Sequence, residues 1–184
     1  MKITDGEKLV LLMLSELYDK LGVDGEVEAD FIRSAIFSDN LWSIPWKYPV
    51  IPFEEQETPE VVKEVLDILD MWDFIEHSYE RLSDKDKAYL EKEAAPFGKS
   101  PKFPGFDGNN ETTHMGTASF IVNELDRFVE FKGRDFNSHC PSLDSYRRML
   151  SVFEGIRRNM NFNSLSARDL ASILAERVHP DNRK

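Results

Sequence analysis

The side chains best placed to do chemistry lie where a loop rich in glycine and proline meets a helix, at Asp107, Glu111 and His114. If this helix begins near Asn110, Glu111 and His114 share one face at positions i and i+3, and together with Asp107 they could hold a cation. Acidic side chains at such a place also cap helix ends and complement the helix dipole. Because capping is the more common use of such a cluster, we predict no metal site and no other cofactor.

Nucleophilic catalysis is the second chemistry to consider. The one cysteine, Cys140, directly follows His139. Adjacent side chains of an extended chain point apart, whereas a catalytic Cys–His pair must meet within hydrogen-bond distance. The serines lack a Gly-x-Ser-x-Gly motif, and the segment from Gly105 to Gly108 lacks the spacing and preceding strand of a phosphate-binding loop. We therefore assign no catalytic residue and leave enzymatic activity open, with a non-enzymatic role favoured.

The net charge of the chain limits the kinds of partner that it can bind. The formal net charge is -11, which argues against nucleic acid, because affinity for it comes mainly from Lys and Arg that neutralise phosphates. The first two predicted helices can be read as a helix-turn-helix, but the second carries Asp30, Asp39 and a single Arg33, and base recognition needs donors and flanking cations. A DNA-binding regulator is thus the last alternative that we keep.

The cellular compartment is indicated by what the sequence lacks. A single cysteine cannot form an intramolecular disulfide, and no signal peptide is apparent. The apolar run from Leu9 to Leu14 is too short to span a membrane. We expect an acidic, cytoplasmic protein that does not contact membranes.

Hydrophobic periodicity of the helical kind runs through the chain, and no strand pattern is apparent, so we predict an all-α, multihelical fold. About six helices are expected, with a short charged helix from Ser83 to Ala95. The six lie at about Asp5–Leu21, Glu28–Ser38, Pro59–Leu82, Glu111–Lys132, Leu143–Met160 and Ala167–Val178.

Two of these helices carry apolar stripes with alternating spacings of three and four. In the first helix the stripe is formed by Val10, Leu14, Leu17 and Leu21. The third helix has the clearest stripe, which Val62 and Leu69 widen beyond a narrow dimer seam, so we predict a central core helix rather than a two-stranded zipper. Its members are Val61, Val65, Ile68, Trp72, Ile75, Tyr79 and Leu82.

A connecting segment rich in proline and aromatic residues, Leu41–Phe53, follows the second helix. Its three prolines exclude a regular helix or a central strand. Such a loop usually packs onto its own protein through its aromatic rings. The alternative is an exposed surface for a partner, for which Trp42, Trp46 and Tyr48 are the candidate residues.

Several short patterns distributed along the chain also match a known family. They are Gly105-Phe106-Asp107, Glu111, Gly116, Phe120, Asn123, Arg127, Phe131, Phe136-Asn137, Pro141 and Tyr146-x-Arg148-Met149-Leu150, with the segment VVKEVLDILDMWDFIEHSYERL in helix three. Over nearly its whole length the chain resembles the YfbU family of bacterial proteins. The resemblance implies a bacterial, cytoplasmic, multihelical protein and transfers no catalytic residue.

The residue patterns and the resemblance together single out one polar cluster, whose members lie close to or between core aromatics. The members are Asp107, Glu111, Asn123, Arg127, Asn137 and Arg148. We expect a buried polar network that fixes the packing of the fourth and fifth predicted helices, since buried charges must be paired. The alternative is that the same residues line a pocket for a small ligand.

We therefore predict a single domain over 1–184, with an N-terminal helical subdomain over 1–56 as a possible division. The favoured function is a non-enzymatic regulatory or protein-interaction module that forms a homodimer and binds a protein partner. The first alternative is a ligand-binding protein or enzyme that uses the polar cluster, and the second is the DNA-binding regulator.

Overall fold

A computed structural model describes residues 2–23, 25–158 and 164–182. These residues form eight α-helices: α1 (Asp5–Leu21), α2 (Ala29–Phe37), α3 (Ile44–Lys47), α4 (Glu60–Arg81), α5 (Asp84–Glu93), α6 (Thr112–Asn123), α7 (Leu143–Arg157) and α8 (Ala167–Ala175). The all-α prediction is confirmed, but the prediction of about six helices is wrong. The charged segment folds as the regular helix α5, and the proline-rich segment contains α3, which tolerates Pro45 in its first turn because no intrahelical N–H bond is needed there.

The centre of the fold is α4. Val65, Ile68, Leu69, Trp72 and Ile75 on this helix are completely buried, and α4 contacts α6, α7 and α8, while α5 packs on α8. The prediction of a central core helix is confirmed. Burying a side chain of this size contributes about 1.5–3 kcal/mol, so α4 and its neighbours supply much of the stability of the fold.

The fourth predicted helix is much shorter than expected, because α6 ends at Asn123 instead of Lys132. Asp126 and Phe128 have φ values of 52° and 51°, and a continuous helix cannot contain them. Eleven residues correspond almost to three turns, so a continued helix would place Phe131 on the face of Phe120. Phe120 packs on Phe31 of α2, whereas Phe131 packs on Phe103 in the main core. The break is what lets each phenylalanine reach its own cluster.

The last two helices also differ slightly from prediction. α7 begins at Leu143 as expected, and its predicted end at Met160 lies outside the described residues. α8 ends at Ala175, three residues before Val178, although the capping box of Ser166 and Asp169 at its start is present.

A second, smaller hydrophobic cluster joins the N-terminal helices to the rest of the chain. It consists of Phe31, Ala35, Ile44, Tyr48 and Phe120, so α6 contributes to it together with α2 and α3. Trp42 and Leu125 pack against both clusters. We call residues 2–53 the N-terminal helical unit. A subdomain boundary near residue 56 stays a prediction.

None of the helices in the described part of the chain offers an apolar stretch that could cross a lipid bilayer.

Candidate functional site

Two loops that meet beside α6 and α7 bring part of the predicted polar cluster together. Phe106 and Asn137 form a parallel β-bridge, in which the Phe106 N–H donates to the Phe136 carbonyl at 2.8 Å. The approach depends on Gly105, whose φ is +88° and where a Cβ would lie 2.1 Å from the Phe136 carbonyl oxygen. Only glycine fits this position without moving the backbone.

Glu111 is the centre of the cluster and is 6% exposed. Its Oε1 accepts from the backbone N–H groups of Ser142 at 2.7 Å and Leu143 at 2.8 Å. Its Oε2 accepts from the Asp107 N–H at 2.9 Å and the Ser142 hydroxyl at 2.7 Å. Because Leu143 is the first residue of α7, a carboxylate from the start of α6 caps another helix.

Asp107 and Asn137 close the turns on either side of Glu111. Asp107 Oδ1 accepts from the Asn109 N–H at 3.0 Å, and its Oδ2 accepts from the Asn110 side chain at 2.5 Å. Asn137 Oδ1 accepts from the Gly108 and His139 N–H groups, each at 3.0 Å. The side chains of this cluster therefore accept mainly from backbone N–H groups of the two loops and of the start of α7.

Hydrogen bonding outweighs burial in the titration of the two acids. Burial raises the pKa of Glu111, but the Leu143 N–H and the other donors around the carboxylate lower it by a larger amount, so the net shift is downward. The Asn109 N–H and the Asn110 side chain likewise hold the pKa of Asp107 below its ordinary value. Both side chains are thus carboxylates that accept hydrogen bonds, not acids that could donate a proton near neutral pH.

The other three predicted members lie elsewhere. Asn123 is exposed and donates to the Ser119 hydroxyl at 3.1 Å. Arg127 follows the end of α6, so it does not lie one helical turn beyond Asn123, as a helix over Glu111–Lys132 would require, and its guanidinium lies 4.8 Å from the centre of the Trp46 ring. Arg148 Nε donates to the Glu176 carbonyl at 3.1 Å and connects α7 to the end of α8. Three of the six predicted members therefore lie together where the two loops meet, and the other three make separate contacts elsewhere.

Arg127→Met is expected to change the free energy of unfolding by no more than about 1 kcal/mol, because an exposed cation–π contact contributes about 0.5–1 kcal/mol. Urea unfolding of the two proteins, followed by circular dichroism, measures the difference. A loss of several kcal/mol would show that Arg127 belongs to a buried network after all.

The residues considered as metal ligands are also separated. His114 Nε2 lies 2.9 Å from Glu64 Oε2, and Arg147 Nε donates to Glu64 Oε1 at 2.7 Å. The carboxylates of Glu111 and Asp107 are occupied by N–H and hydroxyl donors of the two loops and of the start of α7. Within residues 2–23, 25–158 and 164–182, no group of three or more His, Cys, Asp or Glu side chains is arranged to bind a metal ion.

The most extensively bonded carboxylate outside the loops, Glu76, was missed from sequence. It is 5% exposed and accepts from Arg134 Nη1 at 2.7 Å, Arg134 Nη2 at 3.0 Å, Lys102 Nζ at 2.8 Å and the Phe103 N–H at 2.8 Å. A signal was present, because Glu76 follows Val62 and Leu69 at intervals of seven on the inward side of α4. A charge in such a series predicts a buried, paired carboxylate.

The aromatic residues considered as an interaction surface have different environments. Tyr48 is 8% exposed, and its hydroxyl accepts from the Glu28 N–H at 2.9 Å, so it belongs to the interior. Trp42 and Trp46 are half-buried, with ring centres 5.0 Å apart. They line a cavity of about 770 Å³ together with Lys2, Lys8 and the acidic segment 54–57.

Half of the exposed large apolar side chains in the described part of the chain lie instead on α1. Ser15 is the one buried residue of this helix, all of which is described. Seven large apolar side chains are 37–73% exposed: Leu9, Val10, Met13, Leu14, Leu17, Tyr18 and Leu21. We call these seven residues the α1 stripe. Soluble chains seldom leave a continuous patch of this kind uncovered.

Comparison with known proteins finds both a family model and curated relatives that match this chain. A model of the YfbU domain matches residues 1–175. The chain is also 34% identical over 95 residues to the UPF0304 protein MJECS11 of Methanocaldococcus jannaschii, a match that covers 49% of this chain and 53% of that protein. The matched region thus spans about half the length of this relative, which is archaeal, so the relative does not bear out the expected bacterial source. Since the domain match extends over nearly the whole sequence, the chain belongs to the YfbU family.

Proposed function

We propose that this YfbU-family chain is a non-enzymatic protein-interaction module, and that its N-terminal helical unit contacts another protein chain. The observation that carries the proposal is the α1 stripe, because seven large apolar side chains on one helix stay in contact with water. Covering such a surface with protein gains about 25 cal/mol per Å² of apolar area removed from water. A regulatory role is consistent with this surface, since binding itself would be the activity.

The two alternatives have less support. The members of the polar cluster near Gly105 direct their oxygens to backbone N–H groups of the two loops and of the start of α7, which supports a structural role. Arg33, the candidate base-reading side chain of α2, is held by Asp19 at 2.8 Å and also by Asp30. Both contacts reduce the positive charge that a DNA phosphate would meet.

Site-specific photocrosslinking in host cells tests the proposal. A benzophenone amino acid replaces Leu17, which is 50% exposed in the α1 stripe, and the control position is Lys92 of α5, whose side chain is 84% exposed. We expect protein adducts at position 17 that are several-fold more abundant than at position 92 and that decrease when Leu14→Glu is added. Equal or absent adducts at the two positions would contradict the proposed function.

A further inference from the structure

We propose that the α1 stripe is a homodimer interface, in which α1 of one copy packs against α1 of a second copy around a two-fold axis. This inference rests on the proposed function and identifies the partner as a second copy of the chain. Four residues form its central line, Val10, Leu14, Leu17 and Leu21. Their spacing of four, three and four is that of the a and d positions of paired helices. All four are at least 46% exposed.

Helix geometry separates the α1 stripe from the side of α1 that the chain itself covers. Lys8, Leu11, Leu12 and Ser15 are the less exposed positions of α1, and α1 packs on α2. At 100° per residue, the centre of these four positions lies about 140° around the helix from the line from Val10 to Leu21. A helix that is apolar on two different sides needs a partner on each. In the described part of the chain, the partner on one side is α2, and the other side faces water.

The area of the α1 stripe fits a dimer. Its seven side chains are on average about half exposed, and a fully exposed side chain of this size offers roughly 100 Å² of apolar area at the usual coefficient. The α1 stripe thus supplies roughly 400 Å² of apolar area. A standard interface buries about 800 Å² per partner, of which a little over half is apolar. Nearly all of the apolar area that one partner needs is already present on α1.

Symmetry favours a second copy over a different protein. In a two-fold dimer each copy presents the same surface, so one self-complementary stripe supplies both halves. Each chain carries a net charge of -11, which opposes self-association, so a contact between two copies must add no like charges of its own. The α1 stripe contains no ionisable group other than the Tyr18 hydroxyl, and one acid at the end of α1, Asp19, is bound to Arg33 at 2.8 Å.

A neighbouring cavity gives room for the second copy. A space of about 730 Å³ with mostly apolar walls lies beside α1, and Val10 belongs both to its wall and to the α1 stripe. Leu11, Ile32, Ile51 and Phe53 form other parts of the wall. Side chains at the end of a partner helix could enter this space, which would extend the contact beyond the single line of the α1 stripe.

Size-exclusion chromatography with light scattering, on the full chain of 21.3 kDa, tests the interface. We expect twice this mass for the wild type at micromolar concentration. Leu14→Glu with Leu17→Glu should raise the dissociation constant by roughly a hundredfold or more, since a two-fold contact would bury four carboxylates. The control is Tyr89→Glu with Val129→Glu, the same added charge at exposed apolar sites away from α1, which should stay dimeric.

Circular dichroism checks that the variants fold. If the double variant Leu14→Glu with Leu17→Glu does not fold, the single variant Leu17→Lys is measured in its place. A monomeric wild type would overturn the inference, as would a dimer that both α1 variants leave intact.

The crosslink at position 17 separates the two proposals. An adduct of twice the chain mass supports both, an adduct with a different protein keeps the proposed function and removes this inference, and no adduct removes both.

Discussion

Replacing Glu111 with alanine should lower the free energy of unfolding by about 3–5 kcal/mol. The carboxylate accepts four hydrogen bonds, three of them from the backbone N–H groups of Asp107, Ser142 and Leu143. Asp107 and Ser142 are buried, so their donors would lose a partner that water replaces poorly. Urea unfolding at neutral pH, followed by tryptophan fluorescence and by circular dichroism, measures the loss.

The control for Glu111 is Asp144→Ala. Asp144 lies in the first turn of α7, and its side chain is 90% exposed. This variant removes one negative charge from the same helix end without removing a buried acceptor, and it should cost less than about 1 kcal/mol. Equal losses for the two variants would mean that the charge near the helix dipole matters, and not the four hydrogen bonds.

Replacing Glu76 with alanine should also destabilise the protein, by about 2–3 kcal/mol, because Arg134 and Lys102, which are themselves partly exposed, lose their buried acceptor. The Phe103 N–H loses its partner as well. These bonds attach α4 to the segment from Lys102 to Phe103 and to the loop that holds Arg134. Thermal and urea unfolding of the variant measure the loss.

Glu80→Ala is the matched control, one turn further along α4. Its side chain is 66% exposed and lies 3.7 Å from Lys102 Nζ, so we expect a loss below about 1 kcal/mol. Glu76→Met combined with Arg134→Met should recover part of the loss, since a buried pair can often be replaced by apolar side chains. If the double variant is less stable than Glu76→Ala, the pair stabilises the fold by more than the neutralisation of one charge by the other.

The same two carboxylates should make the fold acid-sensitive. Burial raises the pKa of Glu76, but the hydrogen bonds from Arg134, Lys102 and Phe103 lower it by a larger amount. The pKa of Glu111 is likewise shifted downward from 4.5. A lowered folded pKa means that the stabilisation is fully present above pH 4.5 and is lost as the pH falls through the folded pKa. Below pH 4.5 the wild type should lose stability more steeply than a Glu111→Gln variant.

Much of the helical structure was predictable because its causes are local. The Thr4–Glu7 and Ser166–Asp169 capping boxes involve residues three positions apart, and the apolar spacing of α4 identifies both a helix and its inward side. Gly22 adopts the left-handed conformation at the end of α1, which glycine does without a steric cost. Such features need neither distant residues nor knowledge of the topology.

The sequence alone determined that this is an all-α chain of the YfbU kind with a central helix near residues 60–81. The tertiary structure decided which apolar stripes are covered, since those of α1 and α4 have the same spacing, but the first is exposed and most of the second is buried. It also decided the partners of Glu111 and Glu76, because their donors lie as far as 32 and 58 residues away along the chain. Periodicity shows that a helix face is apolar, and composition shows that a charge is present, but only the packing of distant segments determines what each of them contacts.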